Sequence, residues 1–397
     1  MNVPTSINPP TMSDGVVDWL TNGTRDERFI DNIFAEMCIR LQQAGIPLKR
    51  STFHVLIHHP QWLGARFMWA DGMREAEIAL VDFDVRDRSE YIGSPANEMQ
   101  NGATELRENL ERNAALGRKH ALYDEMRSKG LTDYAAWPLY HTLGKRHLIT
   151  FATDRPGGFD DSHIAALKRV LPVLALVSEI RIKNRLARTL LETYVGSHAS
   201  ELILAGATRR GTGTTVRAAI LICDLRDFTR ISDNWPRDDV IDLLNDYFDA
   251  MSEPIAKHGG EILKFIGDGL LAIFPLHEPD ACANLLRAVT EARQAMTALN
   301  ARNNGTGRAP LNYGIGVHVG DVMYGNIGSS SRLDFTVIGP AVNMASRLEA
   351  LTKQLGRTVL LSRAFAELVE PQFELEHVGQ HEVRGFSDPI ELFAYHG

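Results

Sequence analysis

A chain of 397 residues is long enough for two or three domains, each with its own core. Its net charge of -8, from 42 basic and 50 acidic residues, lacks the basic surplus of a nucleic-acid binder, so no nucleic-acid partner is expected. An enzyme acting on a polyanion can still be acidic when metal ions supply positive charge locally.

Three cysteines, Cys38, Cys223 and Cys282, show no metal-ligand spacing and read as plain thiols in a reducing cytoplasm. Residues 1–12, rich in Pro, Ser and Asn, read as a disordered tail, and their lack of a basic start and an apolar core predicts no signal peptide. Ile30, Ile33, Phe34, Met37 and Leu41 then fall on one side of a helix over 29–41. Strands are expected at 52–57, 65–69 and 79–83, a charged helix over 100–130, and strands at 134–139 and 147–152. His54, His58 and His59 read as ordinary strand and loop histidines. The turn Asp154-Arg-Pro-Gly-Gly158 precedes a long helix starting near Asp160 or Asp161. Its most apolar stretch, Val170–Val177, is too short to span a bilayer. The order of elements over 13–175 predicts an α/β sensor domain, and the piece from Arg146 to Leu176 resembles the end of a GAF domain. The resemblance implies an unidentified small-molecule signal there.

Residues 176–215 read as a signalling helix and linker. Leu176, Ile180, Ile182, Leu186 and Leu190 form a narrow apolar stripe, suited either to a two-helix seam between subunits or to packing on its own domain. Ala205–Thr215, with three glycines and four threonines, closes the linker.

From 216 onward the pattern changes. Val216–Cys223 is an apolar run with Asp224 at its end, a carboxylate held on a rigid strand terminus. Pro236 precedes a helix carrying Val240, Ile241, Leu244, Tyr247, Phe248, Met251 and Ile255 on one face. Strands at 261–266 and 270–274 flank Gly267-Asp-Gly269, whose glycines permit a tight hairpin with Asp268 at its tip. Two such carboxylates suit a hard cation, because Mg²⁺ takes one or two carboxylates plus waters and substrate phosphates. Asp227 reads as a turn or surface residue.

Three blocks carry a family resemblance: Cys223-Asp-Leu-Arg-Asp-Phe-Thr229, Gly260-Glu-Ile-Leu-Lys-Phe-Ile-Gly-Asp-Gly269, and Phe335-Thr-Val-Ile-Gly-Pro-Ala-Val-Asn-Met-Ala-Ser-Arg-Leu-Glu349. In this order they resemble the signature blocks of class III adenylate and guanylate cyclases. The resemblance implies an α+β chain whose residues 216–397 form a ferredoxin-like α/β sandwich, preceded by the GAF-like domain and helical linker. It implies a cytoplasmic enzyme that cyclises ATP to 3′,5′-cyclic AMP and pyrophosphate, a head-to-tail homodimer, and two Mg²⁺ or Mn²⁺ ions per site. By the same resemblance Asp224, Asp268 and the carbonyl of Leu225 bind metal; Asn343 orients the ribose; and Arg347 stabilises the transition state at the α-phosphate. Lys264 and Thr336 read the purine, and Arg384 contacts the terminal phosphates.

An ammonium only donates, and adenine N1 accepts where guanine N1–H donates, so Lys264 favours ATP. Thr336 both accepts and donates and discriminates less. The alternatives are a catalytically silent nucleotide-binding regulator and a guanylate cyclase.

Overall fold

The structure is a computed structural model that describes residues 12–57, 62–89, 91–111, 120–305, 308, 310–383, 386 and 388–397. The chain divides into two compact units, Met1–Leu190 and Leu191–Gly397.

The first unit opens with α1 (Asp14–Asp18) and α2 (Ile30–Gln43). Strands β1 (Arg50–Leu56), β2 (Gly64–Ala70) and β3 (Glu77–Val81) follow. Next come α3 (Pro95–Gln100), β4 (Leu106–Asn109), α4 (Ala121–Ser128), β5 (Asp133–Tyr140) and β6 (Arg146–Thr153). Helix α5 (Asp161–Val195) runs on into the second unit's residues. The strands form one sheet in the order β3-β2-β1-β6-β5-β4, antiparallel throughout. Period-two alternation sends Phe53, Phe67, Trp137 and Phe151 to one face, where α2 and α5 bury Phe34, Met37, Leu167 and Val170 against them. The opposite face packs Tyr134, Ala136 and Leu148 against Met99 of α3 and Tyr123 and Met126 of α4.

Two expectations change here. The helix expected over 100–130 is instead a strand, β4, and the short α4, with residues 112–119 outside the described set. Pairing with β5 at Leu106↔Ala136 overrides local helix propensity. The five apolar residues of the long helix do not share one environment: Ile182 packs on the core, whereas Leu176 and Ile180 are 63% and 54% exposed. His54 lies on β1 with its ring 3.0 Å from the Thr52 hydroxyl, and His58 and His59 fall outside the described residues, as does the tail through residue 11.

In the second unit, α6 (Ser197–Leu204) precedes β7 (Gly213–Leu225), which starts three residues before the expected Val216. The extra length pairs with β10 as far as Gly213↔Gly325. Then come α7 (Phe228–Asn234), α8 (Arg237–Lys257), β8 (Glu261–Ile266), β9 (Gly269–Pro275), α9 (Ala281–Gly305), β10 (Tyr313–Gly328) and β11 (Leu333–Ile338). The chain closes with α10 (Pro340–Leu355), β12 (Val359–Ser362), α11 (Arg363–Val369), β13 (Leu375–His381) and β14 (Ile390–Tyr395). The sheet order is β13-β14-β12-β10-β7-β9-β8, with β11 paired to β10. Within it, β7-α8-β8-β9-α9-β10 is a βαββαβ unit with its four strands ordered fourth, first, third, second, a ferredoxin-like arrangement.

Helix α8 places Leu243, Tyr247, Met251 and Ile255 inward at spacings of four, and α9 packs beside it in the same core. Asp238 and Asp239 in its first turn and Lys257 in its last complement the helix dipole. On the opposite face α10 lies against β10. A Cβ at Gly316 would stand 2.2 Å from the Ala345 carbonyl oxygen and 2.3 Å from the Glu349 nitrogen, so only glycine admits the helix this close.

Candidate active site

Strand β7 is buried through its centre and emerges at Asp224. Alternation turns Cys223 into the core, 3.1 Å from the Tyr247 hydroxyl, and leaves Asp224 half-buried at the open end. Asp268 stands at the tip of the β8–β9 hairpin, where Gly267 has φ 63°. A Cβ at Gly269 would come within 3.2 Å of Asp224 Oδ1, so the glycine lets the hairpin press against the end of β7.

The two carboxyl groups lie close enough for Asp268 to disfavour ionisation of Asp224. Burial, then the neighbouring Asp268 carboxyl, push Asp224 up to about 7. The Leu225 N–H donates to Asp224 Oδ1 at 3.1 Å. Asp224, Leu225 and Asp268 line a cleft of about 660 Å³, together with Asp227, Thr229, Arg230 and Lys353. This donor set fits a small divalent cation. Two hard oxygen donors that disfavour each other's charge when alone gain most from a shared positive charge. Among the described residues no group of three acidic, His or Cys side chains is clustered for a metal, so phosphates and water would complete the shell.

Among the described residues, Lys264, Thr336, Asn343 and Arg347 do not line that cleft. Lys264, on β8, is ion-paired at 2.5 Å with Asp334 of β11. Thr336 lies two residues beyond Asp334, on the same face of the strand. Asn343 and Arg347 stand one turn apart on α10, whose inward face is Ala341, Met344, Ala345 and Leu348. The Arg347 guanidinium sits 5.1 Å over the Phe386 ring, a contact worth about 0.5–1 kcal/mol at an exposed site. Arg384 lies outside the described residues. One chain thus presents an acidic cleft and, apart from it, Lys264, Thr336, Asn343 and Arg347.

Sequence reasoning passed over four contributors. Asp334 was legible in principle, being two residues from Thr336 on an alternating strand. Glu349 was not: burial, then the Asp224 charge, push it up to about 7, and it packs against Gly314, the β10 residue opposite Asp224. Lys353 pairs with Asp227 at 2.8 Å across the cleft mouth, and Asp227 has φ 61°. Phe386 emerges only from long-range folding. Asp227 is thus the turn residue that was expected.

Comparison with known proteins gives a class for this half of the chain. Residues 213–397 match the family model of the adenylate and guanylate cyclase catalytic domain. An adenylate cyclase of Anabaena cylindrica is 40% identical over 190 residues, which are 46% of this chain and 37% of that protein. Adenylate cyclase 1 of Rhizobium meliloti is 27% identical over 257 residues, 62% of this chain and 39% of that protein. The solved adenylyl cyclase CyaB of P. aeruginosa is 28% identical and covers 47% of this chain and 96% of its own, with a TM-score of 0.43. Residues 213–397 are thus similar to adenylate and guanylate cyclase catalytic domains. The matched part spans well under half the length of those two curated relatives. Among the described residues no helix is long and apolar enough to cross a membrane.

Proposed function

We propose that the chain is an adenylate cyclase that converts ATP to 3′,5′-cyclic AMP and pyrophosphate. The observation that carries this reading is the Asp224–Asp268 carboxyl pair, at strand ends and open to a cleft. In the reaction the ribose 3′-oxygen bonds to the α-phosphorus, the α–β bridging oxygen leaves with pyrophosphate, and the 3′-hydroxyl proton is released.

Asp224, Asp268 and the Leu225 carbonyl would hold two Mg²⁺ or Mn²⁺ ions. Bound there, divalent ions activate the 3′-hydroxyl and neutralise charge on the phosphates. The Lys264 ammonium donates to adenine N1, and the Thr336 hydroxyl accepts from the 6-amino group. Asn343 orients the ribose, and Arg347 clamps α-phosphate oxygens with several donors at once. Arg384 serves the terminal phosphates. Because the acidic cleft and the base-reading set lie apart on one chain, the working unit is a homodimer with sites between two copies. The first unit acts as a GAF-like sensor of an unidentified small molecule; its antiparallel sheet with helices on both faces supports that reading. Buried free thiols at Cys38 and Cys223, together with ATP as substrate, suit the cytoplasm.

One observation favours a guanylate cyclase. The Asp334 carboxylate beside Lys264 can accept from guanine N1–H. Turnover of purified protein with ATP or GTP, under Mg²⁺ or Mn²⁺, separates the readings. We expect kcat/KM for ATP to exceed that for GTP by about tenfold, the worth of one well-placed purine contact. A preference for GTP selects the guanylate reading, and no cyclic product with any combination leaves a silent nucleotide-binding regulator.

A further inference from the structure

Strand β8, which carries Lys264, is the outermost strand on its side of the sheet, and its pairing with β9 shifts register between Ile262 and Lys264. An edge strand with a bulge has a backbone ladder on one side only, so its lateral position depends on side-chain contacts. One cluster of them gathers at its first residue, apart from the Lys264–Asp334 ion pair and the Phe248–Phe265 ring contact. Glu261 Oε1 accepts from the Tyr324 hydroxyl at 2.7 Å. Tyr324 in turn stacks on the His198 ring, with centroids 5.5 Å apart and planes 13° apart, and meets Phe335 edge-on at 4.8 Å. Phe335 lies between Asp334 and Thr336. The preceding turn at Gly196, φ 87°, brings its backbone against the Glu261 carboxyl. This cluster therefore touches both strands that present purine-reading side chains, and nothing in it touches the cleft of Asp224 and Asp268.

We propose that Glu261, Tyr324 and His198 are positioning residues that fix where Lys264 and the Asp334–Thr336 strand stand relative to the purine, and thereby set base selection. This rests on the nucleotide-binding part of the function proposed above and goes beyond its reaction. Glu261 is half-buried, and burial holds its carboxyl above the usual range, but the Tyr324 hydrogen bond to Oε1 persists if the other oxygen is protonated. The carboxamide oxygen of Gln can accept the same bond. The clasp is therefore a matter of geometry, and a charge at position 261 is not needed.

The test uses the full chain. Equilibrium binding of fluorescent non-cyclisable ATP and GTP analogues with Mn²⁺ gives an affinity ratio, and steady-state turnover gives the kcat/KM ratio. Glu261→Ala and Tyr324→Phe should each reduce both ATP-over-GTP ratios by about tenfold, the worth of a lost hydrogen bond to a well-placed group. His198→Ala, which removes only a stacked ring, should shift them about threefold in the same direction. Glu261→Gln should restore the parent ratio, which a loss of packing alone would not predict. Thermal unfolding of each variant separates misfolding from repositioning. Unchanged ratios in folded Glu261→Ala and Tyr324→Phe overturn the proposal while leaving the cyclase reading intact. Nucleotide binding with shifted ratios but no product in the parent chain removes the cyclase reading and supports the clasp. A parent chain that binds neither nucleotide overturns both.

Discussion

Mixing Asp224→Ala chains with Arg347→Ala chains should restore cyclase activity that neither variant has alone. Arg347 lies outside the cleft that contains Asp224, so in the proposed dimer a working site draws each from a different copy. Each single variant loses on the order of 10³ in rate, the usual cost of deleting a transition-state cation or an essential metal ligand. Random reassortment makes about half of the dimers heterodimers, and each of these holds one intact site and one doubly damaged site. Equal mixtures therefore recover about a quarter of parental activity per chain. The check is a mixing titration of the purified variants after co-refolding or co-expression. Recovery that fails to appear, with dimers confirmed by sedimentation, places both residues in one copy's site.

The second large effect concerns Asp224 in the absence of metal. Its folded value is pushed up to about 7, whereas an unfolded aspartate titrates near ~3.9. Between those values the folded chain binds the extra proton, so stability falls as pH rises through the window and the full cost is present above about pH 7. Asp224 is about half-exposed, so solvent screening reduces that cost to on the order of 1–2 kcal/mol. Asp224→Asn should abolish turnover. In EDTA at pH 8 it should nevertheless raise the Tm of the catalytic unit by about 3–6 °C. At pH 5, inside that window, only about a third of the gap should remain, and it should close below about pH 4; the contribution of Glu349, which both proteins retain, cancels. Mg²⁺ at pH 8 should stabilise the parent and not the variant. Differential scanning calorimetry reads all three conditions, and an Asn variant less stable than its parent in EDTA at pH 8 contradicts this account of Asp224.

The sequence was most informative where chemistry and local geometry coincide. Asp224 after an apolar run and Asp268 between two glycines declared both their side chains and their strand-end positions, and the structure joins them. Helical spacing of apolar residues exposed α8 for the same reason. It was less informative where tertiary pairing decides. Residues 106–109 become a strand only because β5 offers a partner edge 30 residues downstream at Ala136. The role of Gly316 depends on how closely a helix thirty residues away approaches it, which no local pattern encodes. Asp334 shows the intermediate case: its face on β11 follows from alternation, but its pairing with Lys264 requires β8 and β11 to come together across the fold.

Anomalous scattering from Mn²⁺ in crystals of the chain with a non-cyclisable ATP analogue bears most directly on the central claim, that the paired aspartates grip the cations of cyclisation. The account predicts two manganese peaks within ligand distance of Asp224 and Asp268, bridging to the triphosphate, with the base against Lys264 of a second copy. Manganese bound elsewhere, or a triphosphate seated away from both carboxylates, would contradict it.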